Sequence, residues 1–170
     1  DYPQRFEIRG EIVLPLKGFN KLNQQREKNN LEPFSNPRNT ASGSLKMLDS
    51  REVSKRPLDC YLYYLLGENL PSDNHYTNLQ HARKWGFKIP DEIEVFNNIN
   101  DVNLFVGKWD NNRHNLSYEI DGIVIKVNNI NTQSKLGYTA KSPRWAISYK
   151  FKALQAKTKL LSVSYQVGRT

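Results

Sequence analysis

The chain has 170 residues, enough for one domain or slightly more. With 38% hydrophobic residues and a mean hydropathy of -0.72, it contains no apolar run near the ~18 residues of a membrane span and no charged-then-apolar leader. One cysteine, Cys60, excludes an internal disulfide framework and a multi-cysteine zinc site, and suits a reducing compartment. Lys and Arg number 25 against 17 Asp and Glu, a formal charge of +8. That excess suits a polyanionic partner such as nucleic acid or nucleotide phosphate, or simply solubility. The basic residues are dispersed, so a basic surface has to be assembled by the fold.

In chain order, Glu7 to Leu14 reads as a strand stopped by Pro15. A mostly polar helix over Phe19 to Lys28 leads into an Asn-rich loop, Asn29 to Pro37. Asn39 to Leu48 reads as a short helix capped by Asn39 or Thr40, and Asp49 to Lys55 as a further turn. Leu58 to Leu66, rich in Tyr and Leu, is a strand. Thr77 to Trp85 places Leu79, Ala82 and Trp85 at helical spacing and closes at Gly86. Ile93 to Phe96 is a short strand. A helix capped by Asn100 or Asp101 runs to Trp109 with Val102, Phe105 and Trp109 on one face. Tyr118 to Val127 and Trp145 to Phe151 complete the strands. Helices and strands mix without strict alternation, which predicts an α+β fold rather than a doubly wound sheet. Residues 160–167 alternate like a strand that lacks a following partner. The chain therefore reads as an excised piece, with one domain over 1–155 and a second beginning over 156–170.

Four segments carry chemistry. The period of two in Glu7 to Leu14 puts Ile8, Gly10, Ile12 and Leu14 on one face and Glu7, Arg9 and Glu11 on the other. Tyr118 to Val127 is apolar on both faces at its centre, which predicts burial, yet it carries Asp121 beside Gly122 and ends in Lys126. A glycine there lets something approach the backbone closely, and a lysine at the end of a buried strand needs a partner or a phosphate. In Trp145 to Phe151, Trp145, Ile147, Tyr149 and Phe151 share the face expected to pack, while Lys150 stands over Ala146 and Ser148. Both lysines fit a phosphate site, and both also fit protection of a sheet edge. In Asn36-Pro37-Arg38-Asn39-Thr40-Ala41-Ser42-Gly43-Ser44-Leu45-Lys46, small residues surround Arg38 and would admit a partner's backbone, or form an ordinary capped turn. His75, His81 and His114 have no metal-ligand spacing and read as surface residues. Trp85 and Trp109 read as core anchors.

Taken together, these segments resemble the nucleotidyltransferase (adenylation) domain of bacterial NAD-dependent DNA ligases. Glu7-Ile8-Arg9-Gly10-Glu11 is similar to motif III, and Phe34 to Leu45 to the Asn-Pro-Arg-Asn segment of the NAD-dependent branch. Tyr118 to Val127 is similar to motif IV, Pro143 to Phe151 to motif V, and Gln166 to Thr170 to the first strand of an OB-fold. The resemblance implies an ATP-grasp-like ligase adenylation domain of mixed, largely antiparallel sheets with flanking helices. In that family a lysine of a Lys-x-Asp-Gly motif attacks the adenylyl phosphorus of NAD and releases nicotinamide mononucleotide. The AMP then passes to the 5′-phosphate of nicked double-stranded DNA, and the 3′-hydroxyl displaces it. The single Asp-Gly pair here, Asp121-Gly122, follows Glu119-Ile120. The nucleophile is therefore expected upstream of Asp1, and the fragment alone is expected to be inactive.

The same resemblance implies roles for individual residues. Glu11 would bind the ribose of the adenylyl group. Lys126 and Lys150 would hold the α-phosphate as catalytic and cofactor-binding cations, and Tyr63 would stack on adenine or stand in the core. Asp121 would hold magnesium, directly or through water, or hydrogen-bond the lysine loop. Arg38 and Arg113 would engage nicked DNA, as would Lys46, which stands where many relatives have arginine. The implied cofactors are NAD and magnesium, with zinc only in a domain outside this chain. The implied setting is the bacterial cytoplasm, as a monomer with no membrane partner. Two other readings stay open on sequence: a basic nucleic-acid-binding module without chemistry, and an ATP-dependent nucleotidyltransferase.

Overall fold

The computed structural model describes residues 2–153 and 157–168. Among them two separate antiparallel sheets form, each of two strands. The first pairs β1 (Phe6–Val13) with β2 (Asp59–Gly67), and the second pairs β3 (Gly122–Lys126) with β4 (Ala146–Lys150). Helices α1 (Leu16–Lys28), α2 (Pro37–Leu45) and α3 (Ser50–Ser54) fill the connection between β1 and β2. Helices α4 (His75–Lys84) and α5 (Ile99–Asn112), with a short 3₁₀ turn at Arg113–Asn115, lie between the sheets in sequence. Helix α6 (Ile130–Leu136) joins β3 to β4. The architecture is mixed α+β with small antiparallel sheets.

The first sheet contains a bulge that explains its sequence. Arg9 pairs with Tyr64, but Gly10 pairs with Leu62, so Tyr63 is an extra residue on β2. Strict alternation would set Tyr61 and Tyr64 on opposite faces. The extra residue brings both onto the face of Arg9 and Glu11, their pairing partners. It also brings Leu62 and Leu65 together on the opposite face, beside Gly10 and Ile8. That second face is the core. Ile8 and Leu62 pack on Leu79, Ala82 and Ile89, which are 4% exposed or less. Gly10 is required there, because a Cβ would overlap the Leu62 side chain and the Tyr61 carbonyl.

Helix α2 begins earlier than the sequence suggests. Its cap is Asn36, whose side chain accepts the Asn39 amide at 2.7 Å, and Pro37 takes the first helical position, where its fixed φ is favourable. Its small residues serve the protein's own packing. Thr40, Ala41 and Ser44 are buried, and Ala41 joins Leu14 and Leu22 in a second core cluster flanked by Phe19, Phe34 and Leu58.

Other expectations change. Ile93 to Phe96 forms no strand; Ile93 packs on the first core cluster and Phe96 stacks on Phe105, 5.4 Å between centroids, without a strand partner. Helix α5 is capped by Asn98, and α6 was not foreseen, although Asn129 caps it and Gly137 closes it at φ +66°. Strand β3 is half-buried rather than buried, with Val124 56% exposed, because a two-stranded sheet has no layer over both faces. On β4 only the flanking Trp145 and Phe151 are buried; Ile147 and Tyr149 are exposed. Residues 157–168 form no strand, and their apolar residues Leu160, Leu161, Val163, Tyr165 and Val167 are exposed. Residues 156, 169 and 170, at the two ends of the second domain expected over 156–170, lie outside the described set. No helix among the described residues is long and apolar enough to cross a membrane.

Backbone bonds stitch the two sheets together. The first amide of α4, on His75, donates to the Asn128 carbonyl at 2.8 Å, and the Tyr76 amide donates to Asn128 Oδ1 at 2.9 Å. Ile130 N donates to the Asp73 carbonyl at 2.8 Å, and Leu16 N to Ser117 O at 2.8 Å. These fix the end of β3 against the start of α4, which itself packs on β2.

Candidate functional site

One cleft of about 1550 Å³ lies between the sheets. Its walls include Arg9 and Glu11 from β1, Tyr61, Tyr63 and Tyr64 from β2, and Lys126 and Lys150 from the ends of β3 and β4. The pairing of β3 with β4 sets Gly122 opposite Lys150 and Lys126 opposite Ala146, so both lysines leave the same face of that sheet. Gly122 has a local reason. A Cβ there would run into the Tyr149 carbonyl, so the close approach that this glycine permits is that of β4.

Lys126 Nζ donates to the Tyr63 carbonyl at 2.9 Å. The bulge makes this contact possible, since the extra residue of a bulge drops out of ladder pairing. The ammonium also lies 4.9 Å from the Tyr63 ring centroid and 5.4 Å from that of Tyr64, within cation–π range. Among the described residues it makes no ion pair. Burial without a counter-charge pushes Lys126 down to about 8. Behind it, Tyr64 stacks on Trp145 at 5.3 Å and on His75 at 5.5 Å. Burial, then the neighbouring Tyr138, push the Tyr64 hydroxyl up to about 12, so it stays neutral.

Lys150 has a different setting. Its Nζ lies 3.5 Å from Asp121 Oδ2, and Arg38 Nη1 lies 3.6 Å from the same oxygen. All three side chains are about two-thirds exposed or more, so each pair contributes at most about 1 kcal/mol. Their effect is to gather two cations from α2 and β4 around one carboxylate at the cleft. Arg113, on the 3₁₀ turn, also lines the cleft; it donates to the Lys152 carbonyl at 3.3 Å and lies over the Phe151 ring at 5.3 Å.

The remaining candidates divide. Glu11 is exposed on the cleft wall opposite Tyr61. Tyr63 is 41% exposed and lines the cleft, so it is not a core residue. Lys46 is the C-cap of α2 and does not line the cleft. His114 is exposed and His81 half-buried, as surface or boundary residues. His75 is not a surface residue: it is 8% exposed, because the first turn of α4 is pressed against the end of β3. Sequence reasoning also passed over Tyr61, Tyr64 and Tyr118 as cleft residues. The doubled Tyr63-Tyr64 is the signal that would have found the first two, since it breaks the alternation of Tyr and Leu at one point.

The cleft thus brings together lysines, arginines and an aromatic wall from both sheets and from α2. Residues 1–154 match the family described as the NAD-dependent DNA ligase adenylation domain, and the chain belongs to that family. Along its whole length it is 61% identical to a DNA ligase of Flavobacterium johnsoniae and 59% identical to a DNA ligase of Flavobacterium psychrophilum. It is 56% identical to one from Christiangramia forsetii. The chain spans about a quarter of the length of these relatives: 25%, 26% and 26% respectively.

Proposed function

We propose that this chain is the part of a NAD-dependent DNA ligase that grips the adenylyl group of NAD during enzyme adenylation. The observation that carries this reading is the sharing of one cleft by Glu11, Lys126 and Lys150. In the reaction, an amine nucleophile from outside this chain forms a bond to the α-phosphorus of NAD. The pyrophosphate P–O bond breaks, and nicotinamide mononucleotide leaves with the electron pair. Lys126 and Lys150 neutralise charge that builds on the phosphoryl oxygens and the leaving group, an electrostatic contribution that strengthens toward the transition state. Glu11 accepts the ribose hydroxyls, and the exposed Tyr63 ring supplies a stacking face for adenine. The AMP is then passed to the 5′-phosphate of nicked DNA, with Arg38 and Arg113 contacting backbone phosphates. Lys46, outside the cleft, would contact DNA only at a distance from the reacting phosphate. The adenylation fold ends near residue 155, and an OB-fold begins beyond it.

Magnesium is implied by the family, and Asp121, exposed at the cleft beside Lys150 and Arg38, is the carboxylate that would hold it, directly or through water, since this ion is commonly bound by one or two carboxylates together with water and substrate phosphates.

The test uses a full-length ligase built around this chain. Lys126→Ala and Lys150→Ala are each expected to slow self-adenylation from NAD by at least ~100-fold, the scale of one lost electrostatic stabiliser. Near-normal rates in both variants would remove the phosphate role. Self-adenylation from ATP in the absence of NAD would overturn the choice of nucleotide.

A further inference from the structure

We propose that Tyr64 is a positioning residue for Lys126: its ring, clamped by Trp145 and His75, is the fixed aromatic surface that holds the Lys126 ammonium at the cleft. The inference rests on the reading of Lys126 as a phosphate-binding lysine and names the residue that keeps its charge in place.

A lysine ammonium is a point charge on a flexible stem, so its place depends on what it touches. The contacts of Lys126 Nζ are the Tyr63 carbonyl at 2.9 Å, the Tyr63 ring at 4.9 Å and the Tyr64 ring at 5.4 Å. Both rings lie within cation–π range, but they differ in what supports them. Tyr63 is 41% exposed, and its ring is the one read above as the adenine platform. The Tyr64 ring is half-buried. It lies 5.3 Å from the Trp145 ring at an interplanar angle of 32°, and 5.5 Å from the His75 ring at 44°. Trp145 and His75 are 6% and 8% exposed, and Tyr138 meets the edge of Trp145 at 6.0 Å. The bulge at Tyr63 is what turns Tyr64 to the cleft face, opposite Arg9.

The same clamp is tied to the lysine's own strand. The Trp145 carbonyl accepts the Val127 amide at 2.9 Å, and the Asn128 carbonyl accepts the His75 amide at 2.8 Å. The two residues that fix the Tyr64 ring therefore bond the two residues that follow Lys126, and ring and ammonium share one frame. A carboxylate in the place of Tyr64 would pair with the ammonium and compete with the ligand. The face of an aromatic ring attracts a cation through its quadrupole and leaves the whole charge available to an arriving phosphate oxygen.

The test uses a full-length ligase built around this chain and reads the single-turnover rate of self-adenylation at saturating NAD, with the half-saturating NAD concentration measured alongside. Tyr64→Phe sets the reference. Phenylalanines carrying one, two and three ring fluorines at position 64 then drain charge from the ring face while nearly preserving its shape. The rate should fall with each fluorine, by about fivefold in all, the scale of one lost cation–π contact, and the half-saturating concentration should change less. Tyr64→Leu should be at least as slow as the trifluorinated form; because its packing also changes, the fluorine series decides if it fails to fold. A role in packing alone predicts equal rates across the series, and that result overturns the proposal, as does a series that moves only the half-saturating concentration. Either outcome leaves the phosphate role intact if Lys126→Ala still abolishes adenylation, whereas a fully active Lys126→Ala defeats the underlying reading instead.

Discussion

The two sheets of this protein are built on opposite terms. β1 and β2 are eight and nine residues long and press one face onto Leu79, Ala82 and Ile89, all nearly inaccessible. β3 and β4 are five residues each and leave Val124 and Ile147 more than half exposed. Yet the short sheet carries Lys126 and Lys150, two of the three lysines that line the cleft. Its position comes from backbone stitches at Ser117, Asn128 and Ile130 rather than from a core of its own. The larger buried core lies on one side of the cleft, and Lys126 and Lys150 lie on the other. Uneven burial of this kind is common around binding sites.

Substitutions can break or sharpen this contrast, and the largest expected effect is in the first core. Leu79→Ala should lower unfolding free energy by about 3 kcal/mol in urea titrations, the cost of a buried leucine and its cavity. Acid comes next. His75 titrates near 4 in the folded chain against an ordinary 6.5, so the unfolded state binds more protons between those values. Stability should therefore fall as pH drops from 6.5 toward 4, by on the order of 2 kcal/mol, and His75→Phe should flatten that slope. A pH-independent wild type over that window would contradict the burial of His75. Removal of the α2 cap in Asn36→Ala should cost about 1 kcal/mol and loosen the helix that presents Arg38; a neutral result would mean that Pro37 alone starts the helix. Ile147→Ala on β4 should change stability by under ~0.5 kcal/mol. A loss equal to that of Leu79→Ala would erase the distinction between the sheets.

Much of this was legible in the sequence, and the misses have physical causes. The strands at 6–13, 59–67, 122–126 and 146–150 follow from alternation or apolar composition, though not which strand pairs with which, and the helices near 16–28, 75–84 and 99–112 follow from apolar spacing. The Asn36 cap escapes a reading that runs the loop through Pro37, because the first helical turn is where proline fits. Ile93 to Phe96 has strand composition but meets side chains rather than a strand edge. The cleft face of β1 was legible because Arg9 and Glu11 alternate with apolar residues. The contribution of β2 was not, since period-two reasoning assumes no insertion. The burial of His75 depends on Asn128, 53 positions away in sequence, a long-range contact that local pattern cannot carry.

The doubled tyrosine of β2 behaves like a frameshift within the pleat. Excising that one residue would return the strand to even parity and rotate everything on one side of the excision by half a turn. Either the leucines that seal the core would swing outward, or the aromatic wall would turn inward and take the carbonyl that holds Lys126 with it. A length change of one residue at this point would therefore do more harm than most exchanges of side chain around it.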